Sequence, residues 1–182
     1  MTFDNQKWKS LTKESILVKK PWFEVFKEEI QLPDGKVVPE FYEIEMPHYT
    51  AVFAVTLENK IIILRCYRHA VGEVTLTMPG GMMDEGESPL VGIQREFLEE
   101  TGYKAKEWKS LGVFIGNCTR GCGTYHFFFA TGAYPVQQAD SGDLEELELL
   151  LWKQQEVEQA LDEGQAKSLG VASMLLLGLR CL

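Results

Sequence analysis

Residues 80–103 read GGMMDEGESPLVGIQREFLEETGY, and the fold is decided by how this stretch is built. Ser88 followed by Pro89 is a helix start: serine caps free amides, and proline's missing N–H is harmless in the first turn. Thr101 and Gly102 supply the matching stop, since glycine readily takes the left-handed conformation that ends helices. Between them, at about 100° per residue, Leu90, Val91, Ile93, Phe97 and Leu98 fall on one broad arc, and Glu96, Glu99 and Glu100 on the opposite one. The spacing predicts a two-faced helix with its apolar side toward a core.

An acidic helix face is ordinarily just solvated. Here Glu96 and Glu100 are four residues apart and Glu99 is three from Glu96, so like charges crowd one face at a cost of a few tenths of a kcal/mol per pair. A bound cation removes that repulsion. Hard carboxylate oxygens at this spacing suit Mg²⁺ or Mn²⁺, with water and phosphate oxygens completing the shell.

Working outward, Pro79, Gly80 and Gly81 end a short strand at residues 74–78 and free the backbone for a loop. Upstream, TAVFAVTL and IIILRCY flank a turn at Glu58, Asn59 and Lys60, which predicts a hairpin of core strands. Residues 22–45 form another antiparallel pair around the turn at Pro33, Asp34 and Gly35. Downstream come apolar runs at 111–115 and 125–130, an acidic stretch, a strand at 147–152 and helical pattern from 154. The apolar segment 169–182 contains Arg180 and is shorter than the roughly 20 residues of a membrane span, so it is expected to dock as a helix. The organisation is that of a mixed α/β (α+β) body at 49–182 with an appendage of antiparallel strands at 1–48.

The 182 residues, 45% hydrophobic and 25% charged, suit one folded domain with a small appendage. A formal net charge of -9 argues against a nucleic-acid polymer as partner, because such binding needs clustered Lys and Arg. A small phosphorylated substrate stays compatible only if divalent cations and local arginines invert the sign within the site. The polar start MTFDNQKWKS lacks the apolar core of a secretory signal, so reduced thiols in a cytoplasm are expected. Cys118 and Cys122 with His126 nearby suggest a metal cluster, but no second ligand pair accompanies them, and incidental thiols are the preferred reading.

Gly81, Glu87, Arg95, Glu96, Glu99, Glu100 and Gly102 match every gap and every charged or glycine position of G-x5-E-x7-R-E-U-x-E-E-x-G-U. The segment thus resembles the Nudix box, with Phe97 and Tyr103 standing where an aliphatic residue is usual. The resemblance implies a Nudix α/β/α sandwich with a mixed sheet plus a small N-terminal antiparallel sheet. It also implies a pyrophosphohydrolase. By that resemblance Glu96 and Glu100, with the backbone carbonyl of Gly80, hold Mg²⁺ or Mn²⁺. Glu99 is a further ligand or the general base, and Arg95 fixes Glu87 to stiffen the loop. A base from a later loop is the other possibility, with Glu145 and Glu146 in DSGDLEELE as the candidates.

The stretch LRCYRHAVGEVTLTMPGG is similar to the strand entering the box in ADP-ribose pyrophosphatases and related nucleotide-sugar hydrolases. That implies Arg68, with Arg65 beside it, as a phosphate ligand. The N-terminal strands resemble the same branch, which implies a homodimer exchanging those strands, with Trp22 and Phe23 stacking on the base. Strand aromatics are more often core. One departure matters: no proline lies between Pro89 and Pro135, where that branch carries one about fifteen residues past the box, and Asn117 and Cys118 stand there instead. The expected substrate is therefore a nucleoside diphosphate sugar of the ADP-ribose, GDP-mannose or ADP-glucose type. The alternatives are a non-catalytic nucleotide or ADP-ribose sensor, and a hydrolase of nucleoside triphosphates or dinucleoside polyphosphates. The intact box argues against the first and the N-terminal strands against the second.

Overall fold

The computed structural model describes residues 6–142 and 146–182. The chain divides into two compact units. The first comprises Met1–Pro47 with Ile115–Thr124, and the second His48–Phe114 with Tyr125–Leu182. Residues 115–124, the end of a long hairpin, thus join the N-terminal strands, beyond the sequence boundary drawn at 48.

In the first unit β1 (Lys9–Lys19), β2 (Phe23–Gln31) and β3 (Val37–Glu45) form an antiparallel sheet in chain order. The hairpin turn at Pro33, Asp34 and Gly35 falls between β2 and β3 as predicted. Strand β1 is not foreseen by the sequence: KSLTKESILVK is exposed along its whole length and held by its register with β2 rather than by burial.

The second unit holds β4 (His48–Thr56), β5 (Ile61–Arg68), β6 (Glu73–Thr77), α1 (Pro89–Thr101), β7 (Tyr103–Lys104), β10 (Glu148–Trp152), α2 (Gln154–Asp162) and α3 (Leu169–Leu179). It also holds most of β8 (Glu107–Asn117) and β9 (Cys122–Pro135). The strands form a seven-stranded sheet in the order β10-β5-β4-β9-β7, with β6 on β5 and β8 on β9. Strands β4 and β5 are apolar almost without interruption because both faces of the sheet are covered, and alternate residues serve different cores. Val52, Ala54 and Ile62 pack with Ile93 and Phe97 of α1. Phe53, Val55, Ile61 and Ile63 pack with Val157 and Ala160 of α2 and Met174 and Leu175 of α3. Helices on both faces of a sheet make the α/β/α sandwich that the resemblance implied.

Helix α1 begins and ends where predicted: the Ser88 hydroxyl accepts from the Val91 amide, and Gly102 takes a left-handed φ of 73°. Its two faces differ from the prediction, however. Leu90 and Val91 are exposed, whereas the buried stripe is Gly92, Ile93, Phe97, Glu100 and Thr101. The reason is the phase of the helix: from Ile93, the stripe recurs at i+4, i+7 and i+8, which takes in Glu100 and leaves the first turn outside. Helix α3 docks through Met174, Leu175 and Gly178, and among the described residues no helix is long and apolar enough to cross a membrane.

Candidate active site

The loop after β6 is strapped to the start of β4. The Thr50 amide donates to the Gly81 carbonyl, the Val52 amide to the Pro79 carbonyl and the Met83 amide to the His48 carbonyl, each at 2.9 Å. Gly80 has a φ of 144°, and a Cβ there would lie 2.1 Å from the Thr50 carbonyl oxygen, so no other residue fits. Its amide donates to Glu100 Oε2 at 2.7 Å. At Gly81 the missing side chain leaves room for the Glu96 carboxylate, whose atoms lie 2.6–2.7 Å from where a Cβ would stand. Two carboxylates from successive turns of α1 therefore converge on the Gly80 and Gly81 step.

Arg95 organises the remaining acidic groups. Its Nε and Nη2 each donate to one oxygen of Glu87 at 3.1 Å, its Nη1 to Glu96 at 2.9 Å and Glu99 at 3.1 Å, and its Nη2 also to the Met82 carbonyl at 3.3 Å. The paired guanidinium holds the Glu87 carboxyl below the usual carboxylate range, and Glu87 in turn raises the Arg95 pKa. Glu87 also accepts from the Asp84 amide. Gly92, a position the sequence reading passed over, lets this happen: a Cβ there would come within 2.9 Å of Glu87 Oε2. At the far end of α1, the amides of Val136 and Gln137 donate to Gly102 and that of Asp140 to Glu99, which anchors the start of the acidic loop.

Arg68, Gly80 and Gly81 line one cavity of about 350 Å³, together with Thr50, Tyr49, Tyr125 and Lys167. Arg68 Nη2 lies 3.4 Å from the Thr77 hydroxyl, to which it donates. Lys167 and Tyr125 escaped the sequence reading because the connection before α3 and strand β9 bring them from far along the chain. Arg65 is not brought here. It is paired at 2.6 Å with Glu148, its cross-strand partner on β10. Trp22 and Phe23 belong to the first unit, Trp22 exposed in the turn before β2 and Phe23 half-buried at its start. Glu146 is exposed, and Glu145 lies outside the described residues. His126 faces His48 with their ring nitrogens 3.1 Å apart, and Cys118 is a free, exposed thiol.

A NUDIX domain model matches residues 46–169. The chain belongs to the NUDIX family. Over 106 residues this Nudix chain is 34% identical to the ADP-ribose pyrophosphatase of Bacillus subtilis (strain 168), covering 58% of the chain and 56% of that protein. Over 119 residues it is 29% identical to the methanol dehydrogenase activator of Bacillus methanolicus, covering 65% and 64%. The chain thus spans between about half and two thirds of these curated relatives' length. The crystal structure of an ADP compounds hydrolase superposes with a TM-score of 0.82 at 19% identity, over 94% of this chain and 92% of that one, which establishes the common fold.

Nudix hydrolases generally use a divalent metal. Among the described residues no group of three or more His, Cys, Asp or Glu side chains is placed to hold a metal ion. The donor set nevertheless fits a hard cation: Mg²⁺ is commonly held by one or two carboxylates plus substrate phosphates and water, without an all-protein cage. Glu96 and Glu100 at the Gly80 and Gly81 step supply those carboxylates.

Proposed function

We propose that this protein hydrolyses the pyrophosphate bond of a nucleoside diphosphate sugar, releasing a nucleoside monophosphate and a sugar phosphate, with Mg²⁺ or Mn²⁺ as cofactor. ADP-ribose is the leading substrate, and ADP-glucose and GDP-mannose belong to the same class. The observation that carries this reading is the convergence of Glu96 and Glu100 on the loop that also borders a cavity with Arg68. The name of the Bacillus subtilis relative supports ADP-ribose.

In this reading Glu96, Glu100 and the Gly80 carbonyl hold the ion, and Glu99 is a further ligand or the base. The ion supplies Lewis-acid chemistry, neutralising phosphate charge and sharpening water as a nucleophile. Arg68 binds a phosphate through its planar fork of donors. Arg95 keeps Glu87 and the loop in place and also donates to the carboxylates of Glu96 and Glu99. Proton removal from the attacking water falls to Glu99 or to a carboxylate of the acidic loop, Glu145 or Glu146. The protein acts as a homodimer through its N-terminal strands: β1 is an edge strand with Ile16, Leu17 and Val18 exposed, a surface that ordinarily is paired or covered.

The test is a panel of nucleotide sugars, dinucleotides and triphosphates with Mg²⁺ or Mn²⁺, scored by product identity, on the wild type and Glu100→Gln. Glutamine still accepts from the Gly80 amide but carries no charge, so turnover should fall by about 10²-fold or more while the melting temperature holds. Wild-type turnover in Glu100→Gln removes the metal assignment. Tight ADP-ribose binding without hydrolysis would make the protein a sensor instead.

A further inference from the structure

The cavity beside the Gly80 and Gly81 loop has a second wall that the chemistry above leaves unused. Tyr49 of β4 and Tyr125 of β9 stack with ring centroids 5.5 Å apart and planes at 25°, and Phe127, Val171 and Met174 continue the apolar surface. The entry to α3 is fixed against β6, because the Thr75 hydroxyl donates to the Gln165 carbonyl at 3.1 Å and accepts from the Lys167 amide at 3.3 Å. The wall is therefore preformed rather than dependent on a ligand. At about 350 Å³ the space lies at the small end of the roughly 300–1,000 Å³ typical of ligand sites, so it suits one half of a nucleotide sugar and not the whole.

The lining decides which half. A sugar phosphate carries hydroxyls around its ring, each needing a partner once removed from water, and although Thr50 and Ser168 also line the cavity, its side made by Tyr49, Tyr125, Phe127, Val171 and Met174 offers few. A nucleobase is flat, apolar on both faces and polar only at its edge, and stacking on tyrosine is a favourable contact for any base. Arg68 borders the same space and accounts for the phosphate that follows the nucleoside.

We propose that this cavity binds the nucleobase of the substrate, with Tyr49 and Tyr125 as the residues on which the base stacks. The identity of the ligand rests on the pyrophosphohydrolase reading, and the assignment of its base to this cavity is separate from it. The experiment measures binding of AMP, GMP, UMP and ribose 5-phosphate to the full chain by ligand-observed NMR titration. Tyr125→Leu removes the ring, Tyr125→Phe retains it, Val171→Phe fills the cavity from α3, and Trp22→Ala tests the stacking role that the resemblance implied for Trp22. Melting curves identify any variant that fails to fold, and Val171→Phe gives an independent approach from another element.

The expected result is a tenfold or greater loss of monophosphate affinity in Tyr125→Leu and Val171→Phe. Tyr125→Phe and Trp22→Ala should stay within twofold of wild type, and ribose 5-phosphate should not respond. Loss of ribose 5-phosphate binding with retention of AMP in the same variants overturns the proposal, as does loss of AMP binding in Trp22→Ala or a wild type that binds no monophosphate. If the wild type binds AMP through Tyr125 yet hydrolyses no nucleotide sugar, the pyrophosphohydrolase reading fails while the base site stands. If it hydrolyses ADP-ribose and Tyr125→Leu leaves KM unchanged, the base site fails alone.

Discussion

Replacing Arg95 by alanine should destabilise the protein more than it alters any surface property, and the size of the loss follows from its partners. The Glu99 contact is an i,i+4 pair with Glu99 41% exposed, worth about 0.3–0.5 kcal/mol. The Glu87 side chain is only 10% exposed and loses both of its guanidinium bonds. Breaking a fully buried pair by removing one partner costs about 3–5 kcal/mol. With Arg95 itself 28% exposed, water enters the gap and roughly halves that figure, to about 2–3 kcal/mol. A total near 3 kcal/mol lowers the melting temperature of a chain this size by about 6–12 °C. Calorimetry on Arg95→Ala, Glu87→Gln and the double variant measures the loss and the coupling. The pH dependence has a definite sign. Because Arg95 depresses the Glu87 pKa, the stabilisation is complete above the unfolded value near about 4.3 and is lost as pH falls through the lower folded value. The gap between wild type and Arg95→Ala should be full at pH 7 and narrow as pH falls below the ordinary carboxylate range. A melting temperature within about 2 °C of wild type at pH 7 would refute the view that Arg95 is the anchor of the loop.

Gly81→Ala places a methyl group against the Glu96 carboxylate and should weaken Mn²⁺ binding and turnover by at least about tenfold with little change in melting; electron paramagnetic resonance of bound Mn²⁺ and steady-state kinetics check this. Gly178→Ala drives a Cβ to within 2.1 Å of the Phe53 ring and should cost about 1–3 kcal/mol by denaturant unfolding, without a specific effect on metal binding. Light scattering should give a mass of twice 20.7 kDa, and Leu17→Lys on β1 should shift it toward the single chain.

The helix carrying the box was legible because its cap, its stop and its charged positions are all local signals, and β4 and β5 were legible because a double-sided strand needs an unbroken apolar run. Strand β1 was not, since its residues bury almost nothing and its existence depends on hydrogen bonds to β2. The two-residue β7 is too short to leave a pattern. Within the site, Glu96 and Glu100 could be read from spacing, and Arg95 and Glu87 from the resemblance to the Nudix box. Gly92 could not, because its role is to be absent under a carboxylate five residues away. Tyr49, Tyr125 and Lys167 share a cavity only after three separated segments meet, and no periodicity records that. The first turn of α1 was misread for a related reason: amphipathic periodicity gives an arc, while the neighbours of α1 choose which part of that arc is covered.

Glu100 sits in the same buried stripe as Ile93 and Phe97, so the side chains that seat α1 on the sheet also aim its carboxylates. A volume change at either apolar position turns the whole rod about its axis, and a few degrees of such rotation displace an oxygen at the loop as surely as a substitution there. Variation in this part of the interior is therefore constrained twice over, by the fit of the interior and by the aim of the acid groups, and improvements to one will tend to be felt as losses in the other.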